Sequence, residues 1–159
     1  MRQELQNIFS LNYDPTAFDD KEKEVRRLLN LVKECSSEKE LVNFATETKF
    51  DIRVRVAAAE KVKTFSHLEH LLWQAFIQSS LANCTVTVIA AKKLNVNDMK
   101  NHALRPVLMT VNLYGFHDLI EEAIPLVSDV NLLEEFINLA KRFSPKLEQL
   151  AYERAMELL

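Results

Sequence analysis

The sequence predicts an all-α chain, an α-α superhelix (solenoid) of about four helix pairs behind an N-terminal cap helix, and three observations carry that expectation. Ala59, Ala91, Ala123 and Ala155 stand 32 residues apart, and the positions three before and three after keep step as Val56/Val88/Ile120/Tyr152 and Val62/Leu94/Leu126/Leu158. A period of this size fits two short helices and their turns. Gly115 is the one glycine in 159 residues, so glycine-dependent devices are excluded: no phosphate-cradling loop, no dinucleotide fingerprint, no nucleophile elbow. Finally, apolar residues recur at helical spacing behind recognisable cap residues along most of the chain.

Taken in order, a short N-terminal segment closes at Pro15. The run from about Asp19 to Cys35 carries Val25, Leu28, Leu29, Leu31 and Val32 and reads as the cap helix, so that residues 1–36 precede the repeats. Ser37 with Glu40 is a capping box opening a helix with Leu41, Val42, Phe44 and Ala45 inside. Asp51 caps the next helix, with Ile52, Val56, Ala59 and Val62 on its inner face. Ser66 and Glu69 repeat the capping-box pattern ahead of Leu68, Leu71, Leu72, Ala75 and Phe76. Asn83 is expected to cap the helix bearing Val88, Ala91 and Leu94, which leaves Ala82 in a connection.

The third pair is less regular. Asp98 should start a helix that Pro106 kinks or divides, Gly115 marks a turn, and Pro125 falls near the end of a helix around His117 to Val127. Asn131 with Glu134 then caps a stretch holding Leu133, Phe136, Ile137 and Ala140. Ser144-Pro145 is an N-cap followed by proline at the first helical position, and the last helix runs through Leu147, Leu150, Ala151, Ala155 and Leu158. Residues 37–159 thus hold four repeats of about 32 residues within a single domain, 1–159. Alanine in the repeated column lets helix axes approach where second helices cross, with Val and Leu filling the flanks.

Composition is that of an ordinary globular protein, 48% hydrophobic and 27% charged. The net charge of −3 hides an uneven distribution: residues 51–100 hold seven Lys/Arg against four Asp/Glu, and residues 101–159 five against nine. Cys35 and Cys84 show neither CxxC spacing nor a disulfide framework. No apolar run is long enough for a signal peptide or a membrane span, so the expectation is a cytoplasmic protein with no membrane partner.

The stretch Asp51-Ile-Arg-Val-Arg55-Val-Ala-Ala-Ala59-Glu-Lys-Val62 resembles the second helix of HEAT/armadillo-like repeats, where an aspartate opens the helix, a Val-Arg pair follows and an alanine-rich face ends in an aliphatic residue. The other repeats put Thr87, Leu119 and Ala151 where Arg55 stands, so that family's Asp/Arg ladder does not carry over. The resemblance covers about residues 37–159. It implies an extended concave surface lined by second helices, used for binding. The tetratricopeptide and ankyrin signatures, closer in period, are absent.

Candidate chemistry is sparse. His67 and His70, one turn apart around Glu69, could offer two imidazoles to a metal, but a third ligand such as His102 or His117 would have to come from elsewhere. Asp19-Asp20, Glu121-Glu122 and Glu134-Glu135 read as carboxylates favouring helix N-termini rather than acid/base pairs. Trp73 and Phe44, Phe76, Phe136 and Phe143 read as packing residues. The sequence therefore points to no catalytic residue, no metal and no cofactor.

The informative pattern lies on the second helices. If columns 56, 59 and 62 face inward, the outward columns carry Arg53, Glu60 and Lys61, then Lys92 and Lys93, then His117 and Glu121, then Glu153 and Glu157. The expected function is a non-enzymatic protein-interaction module or scaffold whose concave face binds a partner through Arg53, Lys61, Lys92, Lys93, Glu121 and Glu153, Lys61, Lys92 and Lys93 receiving its acidic part and Glu121 and Glu153 its basic part. The alternative expectation, suggested by HEAT-like folds in DNA-repair glycosylases, is a nucleic-acid-associated protein using Arg53, Arg55, Lys61, Lys63, Lys92 and Lys93 as a phosphate track. An acidic net charge disfavours it.

Overall fold

A proline at the first helical position sacrifices no hydrogen bond, and the first described helix begins on one: α1 spans Pro15–Glu34, starting a turn earlier than the sequence suggested. The computed structural model describes residues 15–159, and the segment read ahead of Pro15 lies outside the described residues. α2 (Glu38–Thr46) and α3 (Ile52–Lys61) follow. α4 (Phe65–Leu72) runs into the single turn α5 (Gln74–Ile77), and then come α6 (Leu81–Lys93) and α7 (Asn97–Leu108). 3₁₀ turns at Met109–Asn112 and Tyr114–Phe116 lead to α8 (His117–Ala123), which tightens into a further 3₁₀ turn at Ile124–Leu126. α9 (Val130–Ala140) and α10 (Pro145–Leu158) complete an all-helical chain, with no strand among the described residues.

Three expected caps form. Ser37 Oγ accepts from the Glu40 N–H at 3.4 Å, Asp51 Oδ1 from the Arg53 N–H at 2.9 Å, and Ser144 Oγ from the Leu147 N–H at 3.2 Å ahead of Pro145. Three others differ. Ser80, not Asn83, caps α6, accepting from the Asn83 N–H at 3.2 Å, because the Asn83 side chain is drawn into the interior; Ala82 consequently lies in the first turn of a helix, not in a connection. Asp129, not Asn131, caps α9 through the Asn131 and Leu132 amides. Ser66 falls inside α4, whose N-cap is Thr64. Pro106 is accommodated within α7, two residues before its end, and Pro125 sits in the 3₁₀ turn after α8. Gly115 keeps a negative φ, so its turn is 3₁₀ and not left-handed.

The helices meet in two rows. α1, α3, α6, α8 and α10 each touch the next, and so do α2, α4 with α5, α7 and α9; α2 packs on α3, α4 on α6, α7 on α8 and α9 on α10. All four column alanines are buried where the rows interlock. A second column 32 residues apart, Arg55, Thr87, Leu119 and Ala151, is buried as well. Tyr152, expected to face inward, is 53% exposed, because no described helix covers that side of α10. Phe76 (55% exposed) and Phe143 are likewise outside the core, whereas Phe136 is fully buried.

Trp73 explains Phe76. At Trp73 the backbone leaves helical geometry (φ −88, ψ 4), separating α4 from α5 and turning Phe76 outward against the indole, ring centres 5.5 Å apart. Polar side chains of α6 take up backbone groups at this break: Thr87 Oγ1 accepts from the Ala75 N–H at 3.0 Å, and Asn83 Nδ2 donates to the Gln74 carbonyl at 3.0 Å. Arg55 completes the network from α3, donating through Nε to the Ala45 carbonyl at 2.9 Å and through Nη2 to Asn83 Oδ1. Burial pushes its pKa down. No buried side-chain polar atom among the described residues lacks a partner, as a closed interior requires.

Candidate functional site

Five of the six charged residues singled out on the second helices bridge to a neighbouring helix of their own row. Lys61 Nζ reaches across to α1 and donates to the carbonyls of Val32, Lys33 and Cys35 at 2.8, 2.8 and 2.7 Å. Lys93, 32 residues on, does the same to α3, donating to the carbonyls of Ala59 and Val62 at 3.3 and 3.0 Å and to that of Glu60. Each ammonium thus gathers carbonyls at the end of a helix, at the negative end of its dipole, those of Val32 and Ala59 also accepting from the Cys35 and Val62 amides. Burial lowers the Lys93 pKa.

Arg53 binds Glu22 of α1 through two parallel bonds, 2.9 and 3.0 Å, and also Asp51 at 2.9 Å. These contacts pull the Asp51 carboxyl down to about 2, first through the Arg53 side chain and then its amide. Lys92 pairs with Glu122 of α8 at 2.6 Å, and Glu121 with Lys146 of α10 at 2.8 Å. Glu153 is exposed and accepts only from Gln149 of its own helix, at 3.0 Å. Arg154 ties α10 to the residue closing the 3₁₀ turn after α8 through the Val127 carbonyl at 3.1 Å and holds Glu157 at 3.0 Å.

The first row is bridged in the same manner. Glu38 of α2 accepts from the amides of Lys63 and Thr64, which open α4, and lies 3.0 Å from His67 Nδ1. Thr64, His67 and the Lys63 amide hold its carboxyl at about 2. Asn101 of α7 exchanges hydrogen bonds with Ser128 at 3.0 and 2.9 Å, and Arg105 of α7 grips Glu135 of α9.

These contacts bear on the remaining candidates. Arg55 is buried and Lys61 and Lys93 are engaged with helix ends, so the basic cluster of residues 53–93 is not one open phosphate track. His67 is taken by Glu38, His70 is exposed and His117 Nε2 sits 2.7 Å from the Val111 carbonyl. No group of three or more His, Cys, Asp or Glu among the described residues could hold a metal ion. The Glu121-Glu122 and Glu134-Glu135 pairs lie at the end of α8 and the middle of α9, not in first turns.

Of the six, Glu153 is the one for which no pairing with a described cation is seen. Between α8 and α10 lies a cleft of about 310 Å³ walled by Ile124, Pro125 and Leu150, with Glu121, Glu153 and Glu157 at its rim and Arg154 the one cation. The sequence brought Glu121, Glu153 and Glu157 to one side but gave no sign of the apolar wall, because Pro125 and Leu150 come from different helices. Glu38 and Arg154 were missed altogether, and Asn83 was read only as a cap. The signal for the lysines was present, since Lys61 and Lys93 each stand one residue before the C-cap of their helix.

Comparisons of the chain with protein-family models, with curated proteins and with solved structures return no match.

Proposed function

We propose that this chain is a non-enzymatic protein-interaction module, a short α-solenoid of HEAT-like helix pairs that takes a basic segment of a partner protein in the cleft between α8 and α10. Two rows of helices, cross-tied by polar bridges between residues 25 to 34 apart, are what stacked repeats of about 32 residues would produce, and this supports the architecture. The observation that carries the function is the cleft itself. Glu153, flanked by Glu121 and Glu157 that hold Lys146 and Arg154, favours a cationic side chain that lays its aliphatic stem on Pro125 and Leu150. The partner's acidic part, first assigned to Lys61, Lys92 and Lys93, has less to hold, since two of those ammonium groups are spent on helix ends. Two cysteines without a disulfide accord with a cytoplasmic setting, and no helix among the described residues is long and apolar enough to cross a membrane.

The test is a peptide array of basic, neutral and acidic sequences probed with the full chain and with Glu153→Lys/Glu157→Lys. Basic peptides should be retained by the native chain, lost by the variant and weakened by salt. Equal capture of acidic peptides, or indifference to the charge reversal, would remove the cleft as the binding surface.

A further inference from the structure

The connections that lead from a first-row helix to its second-row partner carry large apolar side chains in the open. Ile77 is 72% exposed and Tyr114 87%, and Phe76, Leu81, Leu113 and Phe143 between 40% and 55%. Helices joined by short connections pack antiparallel, so all these residues fall along one edge of the stack. α5 packs against α7, and Tyr114 shares a cavity of about 290 Å³ with Ser144 and Leu147 at the start of α10. Leu81 and Leu113 stand 32 residues apart, one step of the stack. The opposite edge, by contrast, is closed by the polar bridges of Glu38, Lys93 and Asn101.

The middle of the apolar edge is free of charge. No Asp, Glu, Lys or Arg occurs between His70 and Lys92, or between Arg105 and Asp118. Its two ends differ in sign. At the last pair, exposed Lys141 and Arg142 precede Phe143. At the first pair, Phe50 closes a groove of about 570 Å³ over Phe44, where Glu34, Glu40 and Glu47 stand against a single Lys49.

We propose that this edge is the contact face of a homodimer, two copies meeting antiparallel about a two-fold axis that passes between Leu81 and Leu113. Ile77 of each copy then faces Tyr114 of the other, and Phe143 with its two cations meets Phe50 and the acidic groove. The partner is a second copy because a two-fold contact requires a surface that complements itself. The uncharged middle sets no like charges against one another, and the ends exchange basic for acidic. The area is sufficient as well. At about 200 Å² for a large apolar side chain in the open, the exposed fractions of these six residues amount to roughly 700 Å² per chain. Two such faces bury about 1,400 Å², within the size of a specific interface.

Sedimentation equilibrium of the full chain tests this between about 1 and about 100 μM, where an interface of this size should show a monomer–dimer equilibrium. Ile77→Glu/Tyr114→Glu, at the two most exposed of these positions, should raise the dimer Kd at least about a hundredfold and leave helical circular dichroism unchanged. Lys141→Glu/Arg142→Glu should raise it about tenfold, and adding Glu47→Lys to the same chain should recover most of that loss. If the Ile77/Tyr114 variant loses helicity, the charge exchange decides. Glu153→Lys/Glu157→Lys should dimerise like the native chain, which keeps this result separate from that of the peptide array. A native chain that is monomeric at about 100 μM, a dimer indifferent to Ile77→Glu/Tyr114→Glu, open-ended higher oligomers, an unrecovered charge exchange, or a dimer lost with Glu153→Lys/Glu157→Lys would each overturn the proposal.

Discussion

Lys93 stands to α3 as Lys61 stands to α1. Both ammonium groups enter the last turn of the preceding second-row helix and donate to three of its closing carbonyls. The series ends there, because Pro125 occupies the next 32-residue step and α8 is tied to α6 by the Lys92–Glu122 pair instead.

Replacing Lys93 by methionine keeps the stem and removes the charge. The loss should be about 1–2 kcal/mol, toward the upper end for a cation at a partly buried helix C-terminus. Lys92→Met, at an exposed pair, should cost less. Urea midpoints measure both, and equal shifts would mean that the ammonium position is incidental.

Arg55→Met should be more damaging. It strands the Ala45 carbonyl and Asn83 Oδ1 inside the protein, and each orphaned acceptor costs about 1–3 kcal/mol. Asn83→Leu alone should be costly as well, and a double-mutant cycle in urea should show the two effects to be strongly non-additive. Simple addition would place the two side chains in independent environments.

The Glu38 and Asp51 carboxyls, both at about 2 in the fold, set the acid sensitivity. Their pKa values are depressed below those of the unfolded chain, so their stabilisation is complete above about 4.5 and is lost as pH falls toward 2. Glu38→Gln should therefore lower the thermal midpoint at pH 6, and the difference from the native chain should shrink steadily between pH 4.5 and 2. A difference that persists at pH 2 would assign the effect to shape and not to charge.

Ala91→Phe should destabilise by about 1–3 kcal/mol through overpacking of a fully buried column. Ala17→Phe, on an exposed part of α1, is the control and should shift the urea midpoint little.

Much of the framework was legible because it depends on short-range rules. Alanine columns survive as buried positions since close axis approach demands a small side chain wherever it recurs, and Asp51, Ser37 and Ser144 cap because their neighbours leave amides free. The departures come from tertiary surroundings that a local pattern does not carry. Asn83 is a good cap by type, but Arg55 and Gln74 claim it from outside its own helix. Lys61 has the look of a solvated lysine until the end of α1 is placed beside it. Tyr152 keeps the phase of its column yet faces solvent, because burial there would need one more helix. The charges read as an open polarity on the second row turn out to be largely engaged within the protein, Lys61 and Lys93 by helix ends and Arg53, Lys92 and Glu121 by ion pairs.

The break at Trp73 gives the molecule a natural optical probe. It is the one tryptophan in the chain, half-buried against Phe76 at the joint where α4, α5 and α6 meet. Emission excited at the red edge of the absorption band therefore originates from that joint alone, and polarity or quencher access there can be followed without attaching a dye. Because Thr87 and Asn83 fasten the same joint, a separation of α6 from it should be read as a change of colour at Trp73.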